Sequence, residues 1–99
     1  MVQAIENWTD VDGAITEVAP RRSGAGQTVV VLDVQASAAV EGFPDLLGEV
    51  VGSPLEVRIR DEVAAGLDLR VGRHLHARVQ KVGPTVVVAH PHHLRCEDA

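Results

Sequence analysis

Five histidines and one cysteine crowd the last third of this chain: His74, His76, His90, His92, His93 and Cys96. Imidazole nitrogen and thiolate sulfur are donors that zinc, nickel and copper accept. His74 and His76 are two residues apart, which puts both on one face of a strand. A two-residue hairpin further on would set His74 roughly across from His93. The run His90-Pro91-His92-His93-Leu94-Arg95-Cys96 matches no metal-ligand spacing, however, and spacing is the specific part of a metal signature. The expectation is therefore surface histidines that titrate near neutrality, with no metal and no cofactor.

The second set of chemical groups is cationic. In Leu55-Glu56-Val57-Arg58-Ile59-Arg60, apolar and charged residues alternate, so Arg58 and Arg60 share the outer face of a strand. Leu75, Ala77 and Val79 repeat the pattern against His74, His76 and Arg78. Guanidinium groups on a strand face suit phosphate, but single-strand binders also need aromatic rings on which bases stack. The chain has only Trp8 and Phe43, and no tyrosine.

Nothing in the sequence reads as an enzyme. There is no Gly-x-Ser-x-Gly elbow, no phosphate-cradling loop and no His-Glu-x-x-His. Gly24 and Gly26 form Gly-x-Gly without a third glycine or a helix to follow, and Cys96 sits near the chain end with no base in sequence to activate it.

The elements that must position these groups are mostly strands. Ninety-nine residues make one domain with a modest core, and the skew of apolar residues toward valine favours sheet. Val11 to Ala19 reads as a first strand, and Pro20 to Gly26 as a loop. Gln27 to Gln35 is the strongest strand, its valine run implying burial on both faces or a central position. Residues 36–54 are ambiguous: Ala36 to Val40 could continue the strand, and Pro44 could open a short helix over Asp45 to Val50. After the Leu55 strand, Asp61 is a candidate N-cap for a helical turn closed by Gly66. Leu75 to Gln80 follows, then a Gly83-Pro84 hairpin, then Val86-Val87-Val88, with Pro91 ending that strand or confining it to an edge. The expected organisation is an N-terminal arm over 1–10, with Trp8 docked on the body, a β-domain over 11–90 and a C-terminal tail over 91–99.

Charge is uneven. The net −5 divides into −6 over residues 1–50, +2 over 51–81 and −1 over the remainder. An acidic total argues against tight non-specific nucleic-acid binding, which rests on neutralising many phosphates. One unpaired cysteine fits a reducing compartment. The chain start lacks a basic segment followed by an apolar run, and no stretch has membrane length, so a cytoplasmic protein is expected.

Five strands with a small helix between the third and fourth resemble the OB (oligonucleotide/oligosaccharide-binding) fold, a five-stranded Greek-key barrel. The resemblance covers about residues 11–90 and rests on LEVRIR, DEVAAG, LDLRVGRHLHARVQ and KVGP leading to TVVVA. Leu67 to Val79 also looks like a segment of the TOBE/Mop modules, OB-like domains that bind molybdate or tungstate. Where those modules carry an anion-binding stretch, this chain has Val82-Gly83-Pro84. Another small open β-barrel or a sandwich is the runner-up architecture. The OB resemblance implies a ligand lying across strands two and three and their flanking loops, which places Arg21, Arg22, Arg58, Arg60, Arg78 and Lys81 as the expected binding residues. Acidic charge and scarce aromatics favour a protein-interaction or self-associating module, a homodimer through an edge strand included. Weak, salt-sensitive single-stranded nucleic-acid binding is the alternative. The Phe43-Pro44-Asp45-Leu46-Leu47 segment reads as a docking knob or as a flap over the barrel end.

Overall fold

The alternation seen in the sequence becomes inside and outside in the computed structural model, which describes residues 6–20, 26–84 and 86–98. Five strands form: β1 (Thr9–Pro20), β2 (Gln27–Ala39), β3 (Pro54–Arg60), β4 (His74–Gly83) and β5 (Val86–Glu97), with helix α1 (Asp61–Ala65) between β3 and β4. They close a ring in the order β1-β2-β3-β5-β4. Neighbours run antiparallel except β3 and β5, which meet in parallel where Arg58 lies opposite Val88. The fold is thus the expected small all-β barrel of five strands, with one short helix between strands three and four.

Inside the ring lie Ile15, Leu32, Val57, Ile59, Leu75 and Val79, each buried, with Val11, Val30, Val34, Ala77, Val87 and Ala89 around them. Each large aliphatic side chain removed from water contributes about 1.5–3 kcal/mol, so these strands need no disulfide or metal to cohere. The weak alternation of the first strand has a structural cause. A register shift between Ile15 and Glu17 adds one residue to β1, and the phase change turns Val18 inward behind Ile15.

Several sequence-based expectations change. The arm over 1–10 is not separate at its inner end: Asn7 and Thr9 are buried, and β1 begins at Thr9. Residues 45–50 form no helix. Asp45 instead accepts hydrogen bonds from the Leu47 amide at 3.0 Å and the Thr9 hydroxyl at 2.8 Å, which holds the segment as a loop. Asp61 is the first helical residue rather than its cap, and its carboxylate accepts from the Thr28 hydroxyl at 2.8 Å. Gly83 belongs to β4, paired with Val86, rather than to the hairpin connection.

The last strand departs furthest from expectation. It does not stop at Pro91 and leaves no tail from 91, because β5 runs on to Glu97. Val79 pairs with Ala89 but Ala77 pairs with Leu94, so Arg78 alone faces the four residues His90, Pro91, His92 and His93. Those four make an outward bulge in which proline's missing N–H removes nothing from the ladder. The bulge also moves the register, so His74 lies opposite Glu97 and not His93.

Candidate functional site

Of the six cations expected to bind together, the four that are described do not converge. Arg58 and Arg60 project outward from β3, where Arg60 pairs with Glu62 at 3.3 Å and Arg58 lies between Val29 on β2 and Val88 on β5. Arg78 is on β4, which is not a neighbour of β3 in the ring. Lys81 meets Asn7 through its backbone, and Arg21 and Arg22 lie outside the described residues. The outer face of β1, β2 and β3 carries a depression of about 200 Å³, lined by Glu17, Ala19, Val29, Val31 and Glu56.

The larger concavity, about 500 Å³, is on the other side of the barrel, across the outer faces of β1 and β4. Its floor includes Ala36 and Ala38 at the end of β2, whose small side chains leave room above the sheet. Along β1, Asp10 and Asp12 face outward; along β4, Arg78 and His76 lie directly across from them. The Arg78 guanidinium forks onto Asp10, donating from Nε at 2.9 Å and from Nη2 at 3.2 Å. That hydrogen bond raises the Arg78 pKa above its already high ordinary value. His92 and His93, carried by the bulge, form the facing wall.

Beside the Asp10–Arg78 pair is a carboxylate shared by two imidazoles. Asp12 faces His74 Nε2 through Oδ1, and His76 Nδ1 at 2.9 Å through Oδ2. The other ring nitrogen of His76, Nε2, lies 2.8 Å from Glu97 Oε1 on β5. The Glu97 carboxyl is held below its ordinary value, first by this hydrogen bond and then by the charge of Arg95. One ligand atom each from Asp12, His74 and His76 lies within 4.8 Å of the other two, so these three side chains are the described residues placed to hold a metal ion.

The bulge histidines form their own group. His90 stacks obliquely on Trp8 with ring centroids 5.1 Å apart and meets His93 edge-on at 4.6 Å. Desolvation lowers the His90 pKa first, and the charges of His93, His92 and Arg78 add to it. Cys96, by contrast, turns toward the core opposite Leu75, and burial pushes its thiol pKa up. It is no partner for the bulge histidines.

Asp10 and Asp12 were missing from the sequence-based site. Their period-two spacing flanking buried Val11 was visible, but their partners on β4 are more than sixty residues away. Only the pairing of β1 with β4 in the ring joins them. Arg73 shows the opposite case of a cation with a structural job. Its Nη1 donates to the Leu67 and Asp68 carbonyls at 3.0 and 2.8 Å, its Nε donates to Asp98 at 3.1 Å, and so it ties the loop after α1 to the end of β5. No helix among the described residues is long and apolar enough to cross a membrane.

No protein-family model and no curated protein matches this chain.

Proposed function

We propose that this chain is a non-catalytic OB-type binding module of the cytoplasm that docks on a partner protein through the loop between β2 and β3. The observation that carries this reading is the way the loop divides its apolar residues. Leu47 and Val50 turn inward and pack against the core, while Phe43, Leu46 and Val51 remain 38%, 41% and 57% exposed. The loop is pinned at its centre, by Asp45 as described and by the Trp8 amide donating to the Pro44 carbonyl at 3.3 Å. A held loop that offers three large aliphatic or aromatic groups to water suits a protein surface. Glu41 and Glu49 flank these groups with no cation in the loop, so the fitting partner is a protein with an apolar pocket rimmed by lysine or arginine.

The test is a photo-crosslinking amino acid placed at position 43 in cells that make the protein. A discrete adduct with another protein, removed by Leu46→Asp, is the expected result. Adducts only between copies of this chain, together with light scattering that shows a dimer, assign the loop to self-association. No adduct at all overturns the reading.

A second reading, single-stranded nucleic acid, draws on one observation: the fold gathers Trp8 and His90 into a stacked pair beside His92, His93 and the cleft that Arg78 and Arg95 line. Such rings can stack on bases. Trp8 is the only tryptophan, so its fluorescence reports directly. Quenching by oligo-dT or oligo-U at low salt with about 50 µM protein, reversed by added salt, would support this reading.

A further inference from the structure

We infer that Asp12, His74 and His76 form a binding site for one divalent late first-row transition metal ion, with zinc as the reference case and Glu97 as the outer partner of His76.

The donor set is two imidazole nitrogens and one carboxylate oxygen, from adjacent strands of a closed barrel. Zinc, nickel and copper accept that mixture, whereas calcium and magnesium favour oxygen alone. Both strands belong to the ring and are antiparallel here, with Asp12 paired to His76 and Ala14 to His74, so the backbone sets the spacing of the three side chains.

The orientation of His76 is the specific feature. Carboxylate oxygens lie 2.9 Å from its Nδ1 and 2.8 Å from its Nε2. A neutral imidazole carries one N–H and can donate to one of them only. With the proton on Nε2, donated to Glu97, the Nδ1 lone pair points at the Asp12 carboxylate. That arrangement is repulsive until a positive species lies between them, either a second proton or a metal ion. A histidine that gives one nitrogen to a metal and the other N–H to a carboxylate is the usual outer arrangement of protein metal centres. Glu97 occupies that outer place, with its Oε1 2.8 Å from His76 Nε2.

Zinc at its ordinary distances to nitrogen and oxygen holds ligand atoms about 3.3 Å apart, so the Asp12–His76 contact must open by about 0.4 Å and the closer Asp12–His74 contact by more, through side-chain torsions. The three side chains are 34%, 20% and 27% exposed for Asp12, His74 and His76, and Asp12 and His76 open onto the cleft. An ion can enter from that side.

The experiment is isothermal titration of the full chain with zinc chloride, repeated with nickel chloride. One ion per chain is expected. Asp12→Ala and His76→Ala should each weaken binding more than about tenfold, and Glu97→Gln by about 10–100-fold, the range for an outer partner of a metal-bound histidine. His92→Ala with His93→Ala should leave affinity unchanged. Binding that survives Asp12→Ala, or that is lost with the bulge histidines, overturns the assignment, as does the absence of any saturable heat. A measurement on the unaltered chain keeps the test independent of variant folding: paramagnetic copper(II) should broaden the amide signals around residues 12, 74–76 and 97. Broadening centred on 90–93 instead would sink the proposal.

Discussion

Asn7 and Lys81, seventy-four residues apart, are joined by two hydrogen bonds: the Asn7 side-chain amide donates to the Lys81 carbonyl at 3.0 Å, and its oxygen accepts from the Lys81 amide at 2.9 Å. The β1–β4 ladder ends at Thr9 and Val79, and the Asn7 carboxamide continues it by one step, a side chain standing in for a peptide. Asn7→Ala should therefore cost about 1–3 kcal/mol, since it strands a donor and an acceptor. Urea unfolding should show a lower midpoint at unchanged slope. Asn7→Asp should cost at least as much, because it sets a buried carboxylate oxygen against the Lys81 carbonyl.

The β2 backbone comes close to β1 at Gly13. A Cβ there would lie 2.3 Å from the Asp33 carbonyl oxygen and 3.1 Å from the Val34 Cα, both backbone atoms. Gly13→Ala must spread the two strands, at a cost of about 1–3 kcal/mol as for other overpacked sites. Gly66→Ala is the control, because its Cβ would meet nothing nearer than the Val63 carbonyl oxygen at 3.7 Å. Thermal melts of the two variants should separate clearly.

Asp45 holds the β2–β3 loop through Thr9 and the Leu47 amide. Removing its carboxylate with Asp45→Ala should leave the barrel folded and speed hydrogen exchange at Leu47 and its neighbours. An unchanged Leu47 rate would mean that the Trp8–Pro44 hydrogen bond and the packing of Leu47 and Val50 hold the loop without it.

Acid should weaken this fold in two steps. His90 has its pKa lowered from 6.5 in the folded chain, chiefly by desolvation and then by its histidine neighbours and Arg78. Glu97 has its own lowered from 4.5, chiefly by the His76 hydrogen bond. In both cases the unfolded chain takes up the proton first as pH falls. The stabilisation is complete above the unfolded value and is lost as pH drops through the folded one. His90→Gln should flatten the upper step and Glu97→Gln the lower one in denaturation midpoints measured from pH 8 to 3.

Much of the barrel could be read from the residues. Alternation in Leu55 to Arg60 and in His74 to Gln80 is a local property, because a strand with one buried face needs period two whatever it pairs with. The Gln27 strand was clear for a different reason, its run of valines, and Asp61 to Ala65 sits between breaks in the period-two pattern. Local pattern also put Arg58, Arg60, Arg78, His74 and His76 on outer faces, where they are. It could not say which outer faces adjoin, because strand neighbours are set by ring closure and not by order along the chain.

Ring closure is what brings Asp10 to Arg78 and Asp12 to His76, and what parts Arg58 from Arg78. The four-residue bulge from His90 to His93 likewise escapes a local reading, since Pro91 looks like a strand end until Leu94 to Glu97 is seen to rejoin β4. The sequence by itself determined the strands, their inward faces and the short helix, because burial of alternate side chains is written residue by residue. Only the tertiary structure decided the cleft, the shared Asp12 carboxylate and the aromatic bulge. Those depend on cross-strand register, and in a closed barrel register follows from the packing of all five strands at once.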